Sequence, residues 1–153
     1  SKLRSNIPNI SISTDVIAGF PGETPDQFED TLNAMKEIRF DFAFMFKYSV
    51  REGTSAANYR EYVTEEEKLS RLDRMIELQS QITNEKYKEK IGQTVELYVE
   101  KVSKKSEKEL SGRTRDFKIT VFPGDESLIG QFVSVKIVDA TGWTLRGELI
   151  PKN

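Results

Sequence analysis

The residues with the greatest chemical potential lie between Lys101 and Lys118. Seven Lys or Arg stand there against three Asp or Glu, a local excess of four positive charges on a chain whose total is −2. The stretch joins Lys101-Val-Ser-Lys-Lys105 to Glu109-Leu-Ser-Gly-Arg-Thr-Arg115, inside a region that reads as short strands. Such an excess on a small β-rich unit is the electrostatic footprint of nucleic-acid contact, although a hairpin made basic for solubility would carry the same charge. Lys104, Lys105, Arg113 and Arg115 are the candidate phosphate contacts, with Lys118 at the end of the cluster, because cationic side chains match phosphate oxygens. Phe117 is a candidate for stacking on an unpaired base. Phe122 and Trp143 have the same chemistry, but core packing is the preferred reading for both.

These side chains need strands to hold them. From Thr94 the pattern predicts five short strands, 95–102, 109–115, 118–122, 132–139 and 144–150, separated by turn signals such as Pro123-Gly-Asp and Thr141-Gly. Five short strands predict a small OB-like β-barrel, closed or partly closed, which removes the edge-strand liability. Upstream the periodicity differs. A buried parallel strand is expected within 10–20, ending in the turn Gly19-Phe-Pro-Gly-Glu23. Thr24 is then a good N-cap, with Pro25 at the first helical position and Phe28, Leu32, Met35 and Ile38 on the apolar face. A second strand over 42–46 completes a βαβ unit, and Phe42, Phe44 and Phe46 are expected in its core. A long helix follows, opened by a Thr64–Glu67 capping box, with Leu69, Leu72, Met75, Ile76, Leu78 and Ile82 as its buried face and Gly92 at its end. The expected division is therefore 1–91, α/β, and 92–153, all-β.

Composition narrows the chemistry. The chain has 153 residues, 37% hydrophobic and 31% charged, enough for one domain or two small ones with a polar surface. Cysteine and histidine are both absent. These residues therefore make no disulfide, thiolate zinc site, Ser-His-Asp triad or iron–sulfur ligation, and no metal site or catalytic residue is assigned to them. No apolar run approaches the roughly 18–20 residues that cross a bilayer, so no membrane partner is expected. The opening residues resemble the tail of a helix, and a fragment of a longer chain is expected.

The run Ser13-Thr-Asp-Val-Ile-Ala-Gly-Phe-Pro-Gly-Glu-Thr24, followed by Phe46-Lys-Tyr-Ser-Val-Arg-Glu-Gly-Thr54, resembles the C-terminal strands of radical S-adenosylmethionine methylthiotransferases. Val99-Glu-Lys-Val-Ser-Lys-Lys105 with Leu110-Ser-Gly-Arg-Thr-Arg115 resembles that family's RNA-binding TRAM barrel. The resemblance covers nearly the whole chain and is nearest to the branch that makes 2-methylthio-N6-isopentenyladenosine in tRNA. The ribosomal-protein branch is the alternative within the family, and a stand-alone RNA-binding module is the alternative outside it.

The resemblance implies the end of a radical-SAM partial TIM barrel followed by a TRAM domain. It also implies a cytoplasmic enzyme that uses S-adenosylmethionine and 4Fe-4S clusters to act beside the anticodon of tRNA. The family's three-cysteine motif is absent, so these residues are expected to be inactive alone and to supply one wall of the cofactor pocket plus the tRNA grip. Ligands of parallel α/β folds bind beyond the carboxyl ends of the strands. That makes Asp15, Gly19, Gly22, Glu23, Lys47 and Arg51 the candidate cofactor contacts. Two readings stand for several of them. The glycines permit close approach of a ligand or simply serve the turn. Glu23 receives an amino group or supports the helix start. Lys47 and Arg51 meet an anion or are solvated, and Asp15 needs a buried partner or a pocket. The strand within 10–20 is also expected to lack a neighbour, which favours self-association of the chain.

Overall fold

The computed structural model describes residues 2–60, 63–104 and 106–151, so Lys105 lies outside the described residues. The chain forms two compact units, one of residues 12–83 and one that combines Lys2–Ser11 with the chain from Asn84 onward. This differs from the division expected near Ile91, because the opening helix α1 (Lys2–Asn6) and the last turns of the long helix belong with the barrel.

In the first unit, β1 (Ser13–Ala18) pairs in parallel with β2 (Phe42–Lys47), and α2 (Pro25–Ile38) connects them. The α2 entry carries a full capping box: Gln27 N–H donates to the Thr24 hydroxyl at 3.3 Å, and Thr24 N–H to Gln27 Oε1 at 2.9 Å. β1 begins three residues later than the expected strand, with the Ile12 N–H donating instead to the Asp41 carboxylate at 3.0 Å. Phe28, Leu32 and Met35 of α2 pack with Ala18 and with Met75 of α3 (Glu65–Lys88).

Two sequence expectations are corrected here. Phe42, Phe44 and Phe46 are exposed, because strand alternation puts all three on the face away from this core, while Ala43 and Met45 face into it. The buried side of α3 is also more polar than its apolar spacing suggests. Lys68, Arg71 and Gln79 are buried, and Leu69 and Ile76 are exposed. Long polar side chains can bury their stems where their heads find partners. The Gln79 amide, for example, donates to the Phe40 carbonyl at 3.0 Å and the Thr83 hydroxyl at 3.1 Å.

The second unit is a closed barrel in the order β3-β4-β5-β7-β6, formed by β3 (Thr94–Ser103), β4 (Ser106–Thr114), β5 (Ile119–Pro123), β6 (Phe132–Thr141) and β7 (Thr144–Leu149). Its interior is Leu97, Val99, Leu110, Phe122, Val133, Val135, Ile137 and Leu145, with Tyr87 of α3 against them. Phe122 is core as expected, whereas Trp143 is half-exposed at the β6–β7 turn beside Gly142. Every pairing is antiparallel except that of β5 with β7.

Gly112 decides how closely β3 and β4 approach. A Cβ there would run into the Tyr98 carbonyl oxygen and the Leu97 side chain. Gly112→Ala is expected to part the two strands and cost about 1–3 kcal/mol. Urea unfolding followed by Trp143 fluorescence checks this, and an unchanged midpoint would contradict it.

Candidate nucleic-acid interface

A groove of about 430 Å³ runs over the outside of β3, β4, β5 and β7, and four of its lining side chains are cationic: Lys101, Lys104, Arg113 and Arg146. Ser111, Ile119 and Val121 form part of its floor. Strict alternation would turn Lys101 inward after Val99. A bulge between Val99 and Lys101 breaks the register, so that Glu100 and Lys101 are both exposed. Arg146 arrives through the parallel β5–β7 pairing, in which it sits opposite Val121. Neither residue belongs to the candidate set read from the sequence. The outward phase of β7 is a local signal for Arg146, but its neighbour is not.

The arginines are held by carboxylates rather than left loose. Arg113 pairs with Glu100 at 3.2 Å, and Arg146 pairs with Glu109. Outside the groove, Arg115 pairs with Glu96 at 2.6 Å while its side chain remains 81% exposed. Exposed pairs of this kind contribute about 0–1 kcal/mol, so a phosphate can take over the guanidinium at little cost. The carboxylates thus orient the forks and keep the surface from standing as bare positive charge.

The β4–β5 turn presents Phe117, 74% exposed with φ of 60°. Lys118, expected on the surface, is instead 4% exposed. Its ammonium lies 3.1 Å from the Asp116 carboxylate and over the Tyr87 ring at 5.4 Å. Asp116 also receives the Thr114 hydroxyl at 2.6 Å and pairs with Lys90 at 3.2 Å. Lys118 is therefore a post beneath the turn and is corrected out of the phosphate contacts. Burial raises the Asp116 pKa, but the Thr114 hydroxyl, Lys118 and Lys90 outweigh it and hold the carboxyl at about 2.

A carboxyl depressed in the folded state contributes stability above its unfolded value, and that stability is lost as pH falls through the folded value. The shift from 3.8 to about 2 therefore predicts that about 2 kcal/mol of barrel stability disappears between roughly pH 4 and pH 2. Urea midpoints measured across that window should fall less in Asp116→Asn than in the unsubstituted chain.

In the first unit Gly19, Gly22 and Glu23 follow the carboxyl end of β1 and Lys47 ends β2, but several are already engaged. Glu23 Oε2 accepts the Gly19 N–H at 2.7 Å and pairs with Arg71 Nη1 at 2.5 Å. Arg71 also donates to the Glu23 carbonyl at 3.1 Å and pairs with Glu67. Glu23 is thus a latch for its own turn. Gly19 has φ of 73°, and the space a Cβ would need there is filled by the Lys68 stem. Lys47 pairs with Glu65 at 2.5 Å, and Lys47 followed by Lys68 holds the Glu65 carboxyl below its ordinary range. Asp15 lies on the exposed face, opposite Phe44, and among the described residues has neither the buried partner nor the enclosure expected of it. Gly22 has open space where its Cβ would be, and Arg51 is exposed in the turn that ends at Thr54. Among the described residues no cluster of His, Cys, Asp or Glu is placed to hold a metal ion.

Residues 88–150 match the TRAM domain family. Over 97% of its length the chain is 49% identical to a tRNA-2-methylthio-N(6)-dimethylallyladenosine synthase of Thermoanaerobacter sp. strain X514, covering 32% of that protein. It is 46% identical to the synthase of Clostridium botulinum strain Langeland over 98% of the chain and 33% of the relative. The Methylacidiphilum infernorum synthase is 45% identical over 95% of the chain and 31% of the relative. The chain is similar to these synthases along nearly its whole length. The TRAM match coincides with the barrel that carries the cationic groove, and the chain spans about a third of the length of these curated relatives. No described helix is long and apolar enough to cross a membrane.

Proposed function

We propose that this chain is the tRNA-gripping part of a cytoplasmic methylthiotransferase, the whole protein adding a methylthio group to C2 of N6-isopentenyladenosine beside the anticodon. The observation that carries the reading is the coincidence of the Lys101–Lys104–Arg113–Arg146 groove with the TRAM barrel, in a chain related throughout to tRNA-modifying synthases. Phosphates of the anticodon stem-loop lie along the groove, with Arg115 and Phe117 at its flank. Lys105 is a further phosphate contact by its place in the basic run of the sequence.

Residues 1–91 are the closing part of a radical-SAM barrel and 92–153 the TRAM domain. S-adenosylmethionine and 4Fe-4S clusters supply the radical chemistry and the sulfur when bound in the whole protein. With neither Cys nor His, these residues hold no cluster. What suits a flat adenine and a cationic group is the exposed β1–β2 face, where Asp15 and Ile17 stand opposite Phe44 and Phe46. Gly22 and Arg51 join them as candidates in the turns that follow β1 and β2, while Gly19, Glu23 and Lys47 hold those strand ends in shape.

Titrating a tRNA anticodon stem-loop against the 153-residue chain at several salt concentrations tests the grip. Affinity should fall steeply with salt, the log–log slope reflecting about 0.7–0.9 per phosphate contact. A salt-independent or undetectable interaction would overturn it. The apolar β1–β2 face further predicts that the isolated chain self-associates, and light scattering showing a monodisperse monomer would contradict that.

A further inference from the structure

We infer that Tyr98 and Phe132 form a base-stacking platform that extends the cationic groove and receives an unpaired RNA base. The inference rests on the RNA-binding reading of the barrel. The two rings sit opposite each other on β3 and β6, with centroids 5.2 Å apart, and are 42% and 53% exposed. Cross-strand register continues the row: Phe132 faces Tyr98, Tyr98 faces Arg113, and Arg113 faces Ile119. Arg113 and Ile119 line the groove, so the aromatic pair begins where the cationic lane ends.

Two half-exposed rings in contact on the barrel's outer face offer an apolar surface next to the cationic groove. The adjoining charge selects the occupant. A strand whose phosphates follow Lys101, Arg146 and Arg113 carries a base past Arg113 onto the two rings, because Tyr98 is the register partner of Arg113. Aromatic side chains beside a positively charged track are the general means of holding single-stranded nucleic acid, because every base has a π-face. Glu96 and Glu100 flank Tyr98 along β3 but are paired with Arg115 and Arg113, which lessens their repulsion of a phosphate.

The test uses the 153-residue chain and two probes, a single-stranded oligoribonucleotide containing one 2-aminopurine and the same strand with that base removed. The unsubstituted chain should quench the 2-aminopurine and prefer the base-bearing strand. Tyr98→Leu and Phe132→Leu, which keep apolar bulk and remove a ring, should each lose about 5- to 100-fold of that preference with the salt slope unchanged. Tyr98→Phe, which keeps the ring, should retain it. Arg146→Ala should weaken both probes alike. Equal binding of the two probes by the unsubstituted chain, or undiminished preference in both leucine variants, overturns the platform while leaving the groove standing; this is also the outcome if the rings seat a protein surface. Failure to bind either probe overturns the RNA-binding reading and the platform with it.

Discussion

Replacing Arg113 and Arg146 together with alanine should weaken RNA binding roughly 100-fold at moderate salt. A hydrogen bond to a charged group contributes about 1.5–3 kcal/mol, and the two guanidinium groups approach the groove from different strands, so their losses combine. The log–log salt slope should flatten by about 0.7 for each single-strand contact removed. The loss of folding stability should be small at Arg113, whose pair with Glu100 is exposed, and larger at Arg146, because the 16% exposed Glu109 side chain loses its countercharge. Glu100→Gln supplies the opposite sign. It frees Arg113 and removes a negative charge from the groove, so affinity should rise a few-fold. Salt-series titrations with thermal melts in parallel check both variants. Unchanged affinity in the double variant would mean that RNA does not use this groove.

Arg71→Met is expected to cost the first unit about 3–5 kcal/mol. The guanidinium is 4% exposed and joins Glu23 of the β1–α2 turn to Glu67, one helical turn earlier on α3. Burial lowers the Arg71 pKa, but the bonds to Glu23 and then Glu67 outweigh it, and its pKa is raised. Without Arg71, the Glu23 carboxylate, only 11% exposed, keeps the Gly19 N–H but loses its countercharge. Leaving one partner of a buried pair uncompensated is far more damaging than replacing the pair. The double variant Arg71→Met/Glu23→Gln should therefore recover part of the loss. Urea unfolding followed by helical ellipticity measures it, while Trp143 fluorescence reports on the barrel separately. A loss below about 1 kcal/mol would show that the turn is held by other contacts.

Much of this molecule is written in local patterns. Alternation in 95–102 and 132–139 placed β3 and β6 within two residues of where they lie, because a sheet face repeats every second residue wherever one side is buried. Thr24-Pro25 marked the start of α2, since capping is chemistry between residues three apart. The basic excess around Gly112 pointed to the barrel that carries the cationic groove, and the motif order pointed to the synthases that the chain resembles.

Tertiary structure alone decided the rest. Arg146 stands 33 residues from Arg113 and shares a groove with it only because β5 pairs in parallel with β7, a choice among strands that no local period encodes. A one-residue bulge turned Lys101 outward. Lys118 looked like the end of a basic surface run, yet Asp116 and the Tyr87 ring make its burial favourable, and Tyr87 comes from a helix about thirty residues upstream. Phe42, Phe44 and Phe46 read as core because aromatic residues in a strand usually find a second layer, but only one face of the β1–β2 pair is packed by α2 and α3 in this chain. Charge and hydrophobicity state what a side chain is. Which surfaces meet it depends on long-range pairing, and that settled whether each candidate lines the groove, props the turn or stands on an open face.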